Sequence, residues 1–76
     1  MDKKIIYSIT QMIIDESTPD DNPIDFYNRW RRETGIVIKN STNAQRVLDF
    51  ISRALKTDKR LLAISMEAEY GKKKKD

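Results

Sequence analysis

The fold of this 76-residue chain turns on how residues 3–16, KKIIYSITQMIIDE, are read. Ile5, Ile6, Ile9, Met12 and Ile13 recur at i, i+1, i+4, i+7 and i+8, the spacing that lines one face of an α-helix. A strand is the rival reading, because Ile and Tyr favour extended backbone. As a strand, however, the segment would put Lys4, Ile6, Ser8, Thr10, Met12 and Ile14 on one pleat face, mixing charged, polar and apolar side chains. The helix over residues 3–16 fits the pattern better. Were the stretch to pair instead with the β-branched run at 36–38, the protein would be α+β.

Downstream, Ser17 to Pro23 reads as a break, since Pro19 and Pro23 lack N–H donors and disfavour helical backbone in the residues before them. Asn22 then suits an N-cap with Pro23 at the first helical position and Asp25 in the electropositive first turn. The second helix carries Ile24, Phe26, Tyr27 and Trp30 as its apolar side and ends near Thr34, with Gly35 placed for a left-handed cap. Ile36, Val37 and Ile38 are too short and isolated a run to build a sheet, and predict an extended, partly buried connector. Ser41 or Thr42 offers the next N-cap, before a helix whose Ala44, Val47, Leu48, Ile51 and Leu55 repeat at helical spacing, widened by Phe50 and Ala54. Thr57 and Asp58 can cap a last helix, apolar at Leu61, Leu62, Ile64, Met66 and Ala68 until Gly71 closes it near Tyr70.

The expected fold class is therefore all-α, a compact bundle of about four short helices over residues 1–71, followed by a disordered lysine tail at 72–76. Its expected core is Ile9, Ile13, Phe26, Trp30, Val47, Leu48, Ile51, Leu55 and Leu62. The order of features resembles the YozE family of small bacterial domains, whose fold is like the sterile alpha motif (SAM-like). The resemblance rests on the acidic, proline-containing break followed by Ile24, Asp25 and Phe26. It continues through the connector ending Lys39, Asn40, Ser41 and Thr42, before the amphipathic helix with Leu48 and Ile51. The connector departs from the family in lacking its Phe-Pro pair. The resemblance implies four helices and a domain that binds protein or RNA.

Composition narrows the function classes. A chain this short buries only about 60% of the surface its unfolded state exposes, which holds a disulfide-free core to about 3 to 5 kcal/mol of net stability. Cysteine and histidine are absent, which removes disulfides, thiolate metal centres and the commonest acid-base catalyst. No apolar run approaches a membrane span, and the opening residues do not resemble a signal peptide, so the expected setting is cytoplasmic with no membrane partner. With no glycine-rich phosphate loop either, neither an enzyme nor a cofactor nor a small-molecule substrate is expected.

Charge is lopsided. Residues 1–22 hold two lysines against five carboxylates, for −3, and the remainder holds thirteen basic against seven acidic residues, for +6. The carboxylates Asp15, Glu16, Asp20 and Asp21 read first as a solvated acidic loop. A docking surface for a basic partner and a Ca²⁺ or Mg²⁺ site are the sharper readings, although EF-hand spacing is missing. On the second helix, Arg29, Arg31 and Arg32 are expected on the exposed flanks of Trp30, which belongs with the core. On the third, Arg46, Asp49, Arg53 and Lys56 share a face on which Asp49 can bridge both arginines. Arg53, Lys56, Lys59 and Arg60 then run into the fourth helix and, with the tail, would form one positive region. A helix-turn-helix fits poorly, because about seven residues, including an apolar triplet, separate Thr34 from Thr42.

Two functions survive. The first choice is a non-enzymatic regulatory or interaction module, a protein-binding adaptor or inhibitor that uses an exposed helix face with Tyr7, Ile14 or Tyr70 as anchors. Small helical regulators, phage-encoded ones included, often work this way. The alternative is a nucleic-acid-binding regulator that uses the basic face formed by Arg29, Arg31, Arg32, Arg46, Arg53, Lys56, Lys59 and Arg60 together with the lysine tail.

Overall fold

A computed structural model describes residues 3–70, the side chain of Tyr70 excepted. The expectations for Gly71, the lysine tail and Tyr70 as an anchor fall outside the described residues. Four helices follow one another: α1 (Lys3–Glu16), α2 (Pro23–Thr34), α3 (Ser41–Ala54) and α4 (Lys59–Tyr70). No strand occurs among the described residues, so the molecule is an all-α bundle. No helix among them is long and apolar enough to cross a membrane.

Each helix boundary has a chemical cause. At the end of α1, the Ile13 carbonyl accepts both the backbone N–H of Ser17 at 3.2 Å and its hydroxyl at 2.6 Å, which closes the last turn. Asn22 caps α2, its Oδ1 accepting from the backbone N–H of Ile24 (2.9 Å) and Asp25 (3.3 Å). Gly35 closes α2 at φ 72° and donates its N–H to the Arg31 carbonyl, a left-handed geometry that costs a side-chain-bearing residue strain.

The start of α3 corrects the sequence expectation. Asn40, not Ser41 or Thr42, is the N-cap, with extended backbone and Oδ1 accepting from the Asn43 N–H at 3.1 Å. Asn is at least as good a cap as Ser or Thr, and here it stands one residue earlier, so Ser41 becomes the first helical residue. Asp58 caps α4 by accepting from the Arg60 N–H at 2.8 Å. Thr57 instead turns its hydroxyl back to the Arg53 carbonyl and finishes α3.

In the packing, α1 lies against α4 and α3, and α2 lies against α3. The core gathers Ile9, Met12 and Ile13 from α1, Phe26, Tyr27 and Trp30 from α2, Val47, Ile51 and Ala54 from α3, and Leu55 and Leu62. Trp30 is fully buried, stacks on Tyr27 with ring centroids 6.1 Å apart, and donates its indole N–H to Ser8 Oγ at 3.0 Å. That bond ties α2 to α1 and satisfies the polar atom that burial would otherwise strand.

Leu48 is a second correction: it is half-buried and packs on the edge of the core. Val47, Ile51, Ala54 and Leu55 define the centre of the stripe on α3, and Leu48 lies one step off it. Ile24, expected on the apolar side of α2, is largely exposed, because Phe26, Tyr27 and Trp30 set the inward direction. The connector is extended as expected, with Ile36 and Ile38 half-buried against the core and Val37 turned outward.

Candidate interaction surfaces

Of the eight cations singled out from the sequence, two tie one helix to another, half-buried Arg29 and exposed Lys59. Arg29 is half-buried on α2. Its guanidinium lies 5.1 Å from the Phe26 ring centroid, and its Nη2 and Nε each come within 3.9 Å of a carboxylate, of Glu16 and Glu33 respectively. Those distances are ion-pair contacts and too long for hydrogen bonds, and Nε and Nη2 are buried without a hydrogen-bond partner among the described residues. Placing Arg29 on an exposed flank is therefore corrected: it fastens the end of α1 to α2.

Lys59 does a similar task from the other side. Its Nζ donates to the Ser17 carbonyl, 42 residues away in sequence, so a cation neutralises the electronegative end of α1 while fixing the start of α4. Arg29 is thereby held within the fold, whereas Lys59 has its Nζ engaged by the Ser17 carbonyl while its side chain stays exposed.

The other six are exposed. Arg31 places its guanidinium 5.6 Å from the Tyr27 ring centroid, which orders it at the rim of a recess. Asn28, Arg31, Arg32, Gly35, Ile36 and Val37 line that recess, of about 340 Å³, at the C-terminal end of α2. A second recess, of about 530 Å³, lies between the α1–α2 loop and the α3–α4 turn, where Lys56 and Lys59 stand beside Asp58. Arg46, Arg53 and Arg60 line neither recess. Asp49, expected to bridge Arg46 and Arg53, instead accepts from Gln45 Nε2 at 3.1 Å, and among the described residues it forms no ion pair with either arginine.

The acidic cluster is also drawn into local structure. Asp15 accepts from Gln11 Nε2 at 3.0 Å, Glu16 faces Arg29, and Asp21 Oδ2 accepts from the Thr18 N–H at 2.9 Å to close the turn. No group of three or more potential ligands among the described residues is arranged to hold a metal ion.

Apolar exposure is concentrated where the sequence did not point. Of the proposed anchors, Tyr7 is 42% exposed, whereas Ile14 is half-buried against the core. The larger exposures are Ile24 on α2 and Val37 in the connector, each at 59%, and Leu61 and Ile64 on α4 at 59% and 64%. The apolar residues of α4 therefore split: Leu62 and Met66 turn inward, while Leu61, Ile64 and Ala68 face out. An apolar run on all sides of a short helix was the available signal. No family model, no curated protein and no solved structure matches this chain.

Proposed function

We propose that this protein is a small non-enzymatic regulatory module that binds another protein, as an adaptor or inhibitor. Its target would place an acidic, apolar-tipped segment in the recess at the end of α2. The observation that carries this reading is that Arg31 and Arg32 line the same recess as the exposed Val37, and none of the lining residues is acidic. Two arginines suit carboxylates geometrically, and a neighbouring aliphatic side chain rewards a partner's apolar group, which a phosphate backbone does not offer. Gly35 and the caps around it fix the recess, so little order has to be gained on binding.

Nucleic acid is the weaker reading because the cations it needs are divided: Arg29 and Lys59 are engaged within the fold, and the remainder do not line one recess. The test is a pull-down from extract of the source cells, run with and without nuclease, using the natural chain and an Arg31→Glu/Arg32→Glu variant. The expected result is a protein retained regardless of nuclease and lost with the variant. Retention that disappears with nuclease, or that ignores the variant, overturns the proposal.

A further inference from the structure

The outward face of α4 is an apolar stripe with charges arranged for a copy of itself. Leu61, Ile64 and Ala68 follow one another at i, i+3 and i+7, and at 3.6 residues per turn they point about 150° away from Leu62 and Met66, which face the interior. Arg60 and Glu67 flank the stripe on one side and Ser65 on the other, and all three are exposed. In heptad terms, Leu61, Ile64 and Ala68 are the a, d and a positions, and Arg60 and Glu67 are successive g positions.

The charge order on α4 runs against the helix dipole. Lys59 and Arg60 stand at the electropositive N-terminal end and Glu67 and Glu69 at the electronegative C-terminal end, each with the wrong sign for an isolated helix. An antiparallel neighbour of the same sequence reverses that disadvantage. Pairing Leu61 of one helix with Ile64 of the other sets Arg60 beside Glu67 of the second chain, and the two-fold axis repeats both contacts. A parallel pairing would bring the basic ends together.

We infer that this chain forms an antiparallel homodimer through α4, with Leu61 and Ile64 in the seam and reciprocal Arg60–Glu67 ion pairs at its edge. This surface is separate from the recess at the end of α2, so the inference stands or falls independently of the target-binding reading. A helix of 12 residues is about 18 Å long, which makes the interface small and the dimer concentration-dependent.

Sedimentation equilibrium of the full chain from about 10 μM to about 1 mM tests it. The mass should rise from 8.9 kDa toward twice that value. Arg60→Glu and Glu67→Arg should each weaken the dimer by about tenfold or more, because every substitution opposes like charges twice. Combining them exchanges the signs and should restore it. Ile64→Asp should leave a helical monomer by circular dichroism, since Ile64 is exposed. A monomer at every concentration, a dimer indifferent to the single charge reversals, or a double variant that fails to recover would each overturn the inference.

Discussion

Ile51 and Leu48 are three residues apart on α3, yet the structure separates them: Ile51 is fully enclosed and Leu48 is half-open. Ile51→Ala should therefore cost about 2 to 5 kcal/mol, near the whole stability of a domain this size, and leave the protein largely unfolded. Leu48→Ala should cost about half as much and give a complete folded baseline in a urea titration. Equal losses would mean that α3 is rotated relative to the described packing. Arg29 offers a second comparison. Its contacts to Glu16, Glu33 and the Phe26 ring are partly exposed, so Arg29→Ala should cost about 1 kcal/mol, whereas exposed Arg32→Ala should stay within about 0.5 kcal/mol. Both residues sit in the same RWRR stretch, residues 29–32. Only the approach of α1, which brings Glu16 alongside, sets Arg29 apart from its neighbour.

At the scale of the element, caps decide where helices begin and end. Asn22, Gly35 and Asp58 were readable from the chain because each has a local role within three or four residues. The sequence places the α3 cap one or two residues late, at Ser41 or Thr42, because Asn40, Ser41 and Thr42 are all competent caps and the choice among them depends on where the connector releases the chain. Gly35→Ala meets open space at its new Cβ, so its cost should come from the positive φ alone, about 1 kcal/mol by thermal melting. Asp58→Ala should cost a similar amount, about 1 kcal/mol, through the loss of the Arg60 N–H acceptor. Its signature in amide hydrogen exchange should be faster exchange at the start of α4, with α2 unaffected.

For the whole molecule, ionic strength separates the two classes of partner. A protein that neutralises several phosphates on duplex DNA loses about 0.9 log units of affinity per contact for each tenfold rise in salt. With Arg29 and Lys59 engaged internally and the other cations divided, no mobility shift with DNA or RNA is expected even at about 50 mM salt, where nonspecific attraction is strong. A shift there that is lost on replacing Arg53, Lys56 and Arg60 by Ala would revive the basic-face reading.

The sequence by itself determined the four helices, most of their ends and nearly all of the core, because periodicity and capping are local properties that a linear pattern records completely. Tertiary structure alone decided which charges are spent and which are offered. The Arg29–Glu16 contact and the Lys59–Ser17 bond join residues 13 and 42 positions apart, and the outward turn of Leu61 and Ile64 follows from the side of α4 that meets α1. Such pairings depend on how helices pack in space, and no spacing along the chain encodes that.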